Sequence, residues 1–383
     1  MRIGFFADMY LPHVSGVTNH ITLAKRYLED RGHEVTVFTF GKPEAGDAEH
    51  NVVRSPGMPW GGTGWRLATG FSAETRRLAP KLDIAHVHHP FQSGRLVAPI
   101  AHRHGIPLVF TNHTRYDLYS DSYARLFPRA ARYGYVRGAL HGFADRCDEV
   151  IAPSETIAEW LLRFAGVVAD DVIPNGVDTA AFASPKTPLT REALGFAPQD
   201  VVFCYVGRLG PEKGTRPLAE EFAHACAVSP RARLLVIGDG PARRDAEIAI
   251  AAAGFSERAR FVGMVPYEHV PDYEAAADVF VTASVTEVHP LVVLEAMAAG
   301  LPVIGVRSPG ISDTVEDGVS GLLAPDATPG SLAERIALIA GDDALRTRLA
   351  RGARKSSTSY TLENTVGRVL LRYEELLGAR SSS

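Results

Sequence analysis

Only three cysteines occur in 383 residues, Cys147, Cys204 and Cys226, and they lie far apart. With no C-x-x-C spacing, a dithiol redox motif and a cysteine-based zinc site are excluded, and a reducing compartment fits. No sign of charge dominates: the formal net charge is -4 with acids and bases interspersed, so a general nucleic-acid binder is excluded as well. Long apolar runs are missing. The opening segment, M-R-I-G-F-F-A-D, has five apolar residues before Asp8, too few for a signal peptide or a spanning helix, and no later stretch spans a bilayer. A cytoplasmic location is expected. The spacing G-x-G-x-x-G is absent, which removes the main support for a nicotinamide or flavin dehydrogenase. So is D-x-D, and no histidine or acidic cluster has metal-ligand spacing, so neither a metal nor another cofactor is expected.

What is present is a repeated strand-helix alternation. The length exceeds one ordinary core and suits two domains of roughly 150 to 200 residues. Apolar runs at residues 2–7 and 34–40 read as buried strands around a helical pattern at 19–31 that stops at Gly32. Strand-like runs recur at 84–88, 108–111 and 149–152, as in a mostly parallel α/β sheet. The first domain is drawn as residues 1–180. The stretch 182–188, F-A-S-P-K-T-P, lacks periodicity and reads as a linker. Strands expected at 201–208, 232–238, 260–265, 279–284 and 302–306 give a second doubly wound domain over 181–359. Two such domains facing each other leave a cleft. A last periodic helix covers about 362–377, within a closing segment 360–383.

The most informative local feature is T-E-V-H-P-L-V-V-L-E, which sets Glu287 and Glu295 with seven residues between them around a predicted helix start. The corner lies at the carboxyl end of a strand, where open parallel sheets bind ligands. Pro290 is expected at the first helical position, leaving the Leu291 and Val292 amides free to face an anion. A phosphate there would sit between carboxylates able to hold sugar hydroxyls, so a nucleotide-sugar site is expected. The run Y-V-G-R-L-G-P-E-K-G adds Arg208 and Lys213 after another strand. These are either solvated surface cations or the charges that stabilise a departing diphosphate, and the nearby acid pair favours the second reading. Gly238, in V-I-G-D-G-P, brings backbone close to a ligand or makes a tight turn.

In the first domain, Gly16 of S-G-V sits between the first strand and its helix, where it could bring an amide to a phosphate or simply start the helix. The runs H-V-H-H-P-F-Q-S-G and T-N-H-T-R-Y-D-L-Y both follow predicted strands. They place His88, Asn112, His113, Tyr116 and Tyr119 on the expected acceptor side, with His113 able to bond the transferred sugar. From Tyr116 to Arg146, five arginines interleave with aromatic residues. That segment either lies on an anionic membrane surface, on its inner face, or packs its apolar stripe on its own domain. The loop W-G-G-T-G-W, residues 60–65, is a second candidate contact.

As an ordered series, S-G-V, H-T at His113, A-P-S, P-N-G-V-D, G-R-L-x-x-E-K-G, G-D-G-P and E-x7-E resemble the retaining glycosyltransferase family 4. The resemblance implies the GT-B fold, two Rossmann-like domains with the C-terminal helix crossing back to the first, and transfer of a hexose from a nucleotide sugar with retention and without a metal. It implies that Arg208 and Lys213 hold the diphosphate, Glu287 the sugar hydroxyls, Glu295 the ribose, and that His113 lies at the transferred sugar. Gly207, Val265 and His289 complete the implied donor side with Gly238, Pro290, Leu291 and Val292. Within the family, H-P-F-x-x-G with T-N-H-T-R-Y-D-L-Y is most similar to diacylglycerol glucosyltransferases. That likeness favours UDP-glucose as donor, with GDP-mannose as the rival, and diacylglycerol or a glycolipid as acceptor. A soluble sugar acceptor, a nucleotide-sugar epimerase or hydrolase, and a non-catalytic nucleotide-sugar sensor are the competing readings. Two departures are Pro290, where glycine is frequent, and Pro309 with Asp313, where glycine and glutamate are usual.

Overall fold

A computed structural model describes residues 1–59, 66–123 and 127–381. The loop at 60–65, singled out as a membrane contact, lies outside the described residues, as do Arg125 and Leu126 of the arginine-rich segment.

The chain divides into two compact units, residues 1–176 with 362–383, and residues 177–361. In the first unit, seven strands form one sheet: β1 (Arg2–Phe6), β2 (Glu34–Phe40), β3 (Val52–Ser55), then β6 (Ile84–Val87), β7 (Leu108–Thr111), β8 (Glu149–Ala152) and β9 (Asp171–Val172), the pair β4 (Met58–Pro59) and β5 (Arg66–Leu67) standing apart. The order is β3-β2-β1-β6-β7-β8-β9 and every pairing in it is parallel. The chain order reverses between β1 and β6, so the crevice at their carboxyl ends is the natural ligand position.

Helices α1 (Gly16–Glu29), α2 (Ala73–Leu78), α3 (Gln92–His104), α4 (Tyr116–Tyr123), α5 (Arg129–Ala144) and α6 (Glu155–Ala165) connect these strands. α1 begins three residues before the periodicity suggests, because Ser15 and Thr18 form a reciprocal capping box that starts the helix at Gly16. Its inner face, Ile21, Ala24 and Leu28, packs with Ile3, Phe5, Val35 and Ile84.

The second unit carries α7 (Thr179–Ala183), α8 (Thr215–Cys226), α9 (Arg243–Ala252), α10 (Val270–Glu274), α11 (Leu291–Ala299), α12 (Pro309–Thr314), α13 (Ser331–Gly341) and α14 (Asp343–Ser357). They cover a parallel sheet of β10 (Val201–Val206), β11 (Ala232–Ile237), β12 (Ala259–Gly263), β13 (Val279–Thr282), β14 (Val303–Val306) and β15 (Gly321–Ala324). Its order, β12-β11-β10-β13-β14-β15, reverses between β10 and β13. Successive residues of β10 face opposite cores, Phe203 and Tyr205 on one side, Val202 and Cys204 on the other, as strand geometry requires of a sheet buried on both faces.

One expectation needs correction. The segment read as a linker is part of the second unit: Asp178 caps α7, Phe182 is buried against Tyr267, and the Thr187 hydroxyl donates to Asp272 at 2.8 Å. Its prolines and small residues hid one buried aromatic anchor. The final helix, α15 (Leu362–Ser381), belongs to the first unit. Tyr373 is fully buried there, and Arg372 grips the buried Glu149 of β8 with two bonds of 2.7 Å.

Candidate active site

In the second unit, two strand ends bring the predicted donor residues to one corner. After β10, Gly207 has φ +144° and Gly238, after β11, has φ +134°; a Cβ on Gly238 would lie 2.0 Å from the Gly207 carbonyl oxygen. Glycine is required there by the approach of two backbones. The turn that follows carries Arg208 and Lys213. Lys213 Nζ donates to Glu287 Oε1 at 2.8 Å, and Arg208 pairs with Glu212. Both cations predicted to meet a diphosphate are thus held beside carboxylates. Burial pushes Glu287 up, but the charge and hydrogen bond of Lys213 outweigh it and hold the carboxyl below its ordinary range. Glu287 is therefore an ionised acceptor.

Pro290 is the N-cap of α11, in extended backbone at φ -76° and ψ 115°, one position earlier than expected. Its carbonyl accepts from Val293 and Leu294, which leaves the Leu291 and Val292 N–H groups at the helix start without an intrahelical acceptor. His289, 5 % exposed, packs its ring 5.5 Å from that of Tyr360. Val265 lies partly buried between β12 and the turn at Tyr267.

Glu295 is placed differently from an open ribose contact. Only 1 % exposed, it accepts a 2.8 Å bond from the Tyr267 hydroxyl, and burial raises its carboxyl to about 7. Glu274 of α10 is fully buried nearby with both oxygens lacking a partner among the described residues. Burial, then the charge of Glu295, keeps it protonated. Sequence reasoning missed Tyr267 and Glu274; the signal for the tyrosine was its position just after a strand end.

In the first unit, the strand ends of β6 and β7 carry a histidine cluster. His88 is fully buried, and its Nδ1 lies 3.0 Å from His113 Nε2. His86 stacks on His88 at 4.4 Å, and its Nε2 meets the Thr111 hydroxyl at 2.8 Å while Nδ1 meets the Tyr373 hydroxyl. His20, from the second turn of α1, sits 4.6 Å from the His113 ring. Burial lowers all of these imidazoles, His20 to about 4 and His86 to about 3, so they are neutral at pH 7. The sequence has no metal-ligand spacing, yet the fold brings ligand nitrogens of His20, His88 and His113 within 4.8 Å of one another. Topology, not spacing, assembles them.

The other acceptor-side residues are less open than expected. Asn112 is buried, and Tyr116 is 3 % exposed with its ring edge against Phe91, so it packs the core of its own unit. Tyr119 is partly exposed on α4. Gly16 begins α1 with open space around it. Asp8, not predicted, is buried and accepts the Gln92 and Ser93 amides at the start of α3; burial raises it to about 6.

The arginine-rich segment forms α4 and α5 around Pro128. Val136, Leu140 and Phe143 face inward, and Arg132 is drawn in to pair with Asp121 at 3.1 Å. Phe127 and Tyr135 remain more than half exposed, with Arg129 and Arg137 beside aromatic rings. Among the described residues no helix is long and apolar enough to cross a membrane.

Two family models match the chain: Glycosyltransferase Family 4 over residues 14–181 and Glycosyl transferases group 1 over residues 186–356. An alpha-monoglucosyldiacylglycerol synthase of Acholeplasma laidlawii is 32% identical over 336 residues, covering 84% of each chain. A D-inositol 3-phosphate glycosyltransferase of Acidothermus cellulolyticus is 29% identical, covering 96% of this chain and 87% of that one. Anabaena HepE, solved in complex with UDP and glucose, superposes with a TM-score of 0.77 over 99% of this chain and all of that one, at 21% identity. The fold is GT-B.

Proposed function

Because this chain belongs to the glycosyltransferases of family 4 and group 1 and is an enzyme of that class, we propose that it transfers a hexose from a nucleotide sugar, UDP-glucose in preference to GDP-mannose, to a hydroxyl of diacylglycerol or a glycolipid. The observation that carries this reading is the corner where Lys213 holds an ionised Glu287 beside the Leu291 and Val292 amides, which have no acceptor within their helix. A diphosphate entering there would draw Arg208 and Lys213 away from Glu212 and Glu287, releasing both carboxylates. Glu287 then accepts hydroxyls of the donor sugar, and the two cations with the helix-start amides stabilise charge as the diphosphate departs. The bond from the acceptor oxygen to the anomeric carbon forms on the face that the diphosphate leaves, and the acceptor proton passes to the departing phosphate oxygen. Retention follows from that geometry, and no divalent metal is called for.

The lipid acceptor rests on the Acholeplasma relative's name and on the exposed Phe127 and Tyr135 in a segment that also carries Arg129 over the Tyr133 ring, which suits peripheral contact with an anionic inner-leaflet surface. The inositol phosphate named for the Acidothermus relative is the soluble-acceptor reading. The test is donor turnover with diacylglycerol vesicles against turnover with soluble acceptors: release of UDP only with a soluble acceptor would sink the lipid reading.

A further inference from the structure

We propose that His20, His88 and His113 form a site for a transition-metal ion of the zinc class, held by three imidazoles with a fourth position open. The residues come from three separate segments, the second turn of α1 and the ends of β6 and β7. In a tetrahedral zinc site with Zn–N bonds of 2.0–2.1 Å, ligand nitrogens stand about 3.3 Å apart. His88 Nδ1 and His113 Nε2 are 3.0 Å apart, so one edge of the tetrahedron is nearly formed. The third ligand atom lies within 4.8 Å of both, and His20, partly exposed on its helix, closes the set by a small rotation of its ring.

Two further features mark the surroundings of the trio. His88 is wholly buried and turns Nδ1 to His113, while its opposite nitrogen, Nε2, has no partner among the described residues. A cavity of about 20 Å³, lined in part by His20, His86, His88 and Thr111 but not by His113, has room for one water beside the His88 ring. The surroundings also fix the ligand rings. His86 stacks on His88 and is itself tied at both nitrogens, to Thr111 and Tyr373, while Phe5 meets His88 edge-on at 5.0 Å. Three neutral imidazoles without a carboxylate select zinc, copper, nickel or cobalt over magnesium or calcium. A metal held there takes the ring nitrogen of His113, so the ion acts as an inhibitor; that consequence rests on the proposed transferase role, whereas the binding does not.

The test uses the untagged full-length chain without donor. Zinc binding is followed by competition with a chromophoric chelator, and cobalt binding by the visible ligand-field absorption of a four-coordinate site. One equivalent of metal per chain is expected, falling at least tenfold in affinity in both His20→Ala and His88→Gln, with magnesium unable to compete. His20 lies at a partly exposed helix position, so its variant keeps the test alive even where the buried His88 change impairs folding. Absence of stoichiometric binding, or binding unchanged in His20→Ala, overturns the proposal. Turnover in EDTA reads the transferase role separately, so the two failures cannot be confused.

Discussion

Lys213 Nζ and Glu287 Oε1, 74 residues apart in sequence, meet at 2.8 Å beside the start of α11. The pair is partly exposed, with side-chain accessibilities of 33% and 14%, so its contribution to stability is about 1 kcal/mol or less. Replacing Lys213 with Ala should lower kcat/KM by about a hundred- to a thousandfold, the usual loss for one preorganised electrostatic group, while the melting temperature moves by about 2–4 °C at most. Glu287→Gln should behave alike. Steady-state kinetics with thermal melting decide it; global unfolding of either variant would mark a structural role.

Glu295 gives a pH signature. Its carboxyl is raised to about 7 in the fold, above an unfolded value near 4.5, so the native state binds the proton more tightly. Its favourable contribution is complete below about pH 4.5 and is lost as pH rises through about 7. Glu295→Gln, which cannot ionise, should therefore gain on the wild type between pH 5 and 8, by up to about 3 kcal/mol. Melting curves across that range check this; a constant offset between the two proteins would contradict it.

The returning helix should matter to the first unit. Glu149 is 1 % exposed and its carboxylate rests on Arg372. Arg372→Ala leaves a buried charge uncompensated, a loss of about 3 kcal/mol. Denaturant unfolding should show a lower midpoint, and deleting residues from 362 onward should unfold the first unit by exposing the core around Tyr373 and Val366. Wild-type stability in Arg372→Ala would contradict the role given to this pair.

Much of the fold was legible because parallel strands buried on both faces appear as uninterrupted apolar runs: β2, β7 and β8 fall on the residues expected. The shortest edges escaped. β9 has only two residues, and β15 opens on a glycine and offers just three apolar residues, GLLA. The helix-start half of the candidate corner was legible because Glu287, Pro290 and Leu291 are near neighbours in sequence. The histidine trio was not, because His20, His88 and His113 meet only when the chain order of the sheet is known. Nor could composition show that Phe182 anchors its segment or that Tyr267 occupies Glu295.

The most direct measurement of the central claim is UDP release from UDP-glucose in EDTA, with and without diacylglycerol in anionic vesicles. Release that requires the vesicles, persists in the chelator and disappears in Lys213→Ala is the predicted result. No release without added magnesium or manganese, or release indifferent to every acceptor, would contradict the account of a metal-independent transferase.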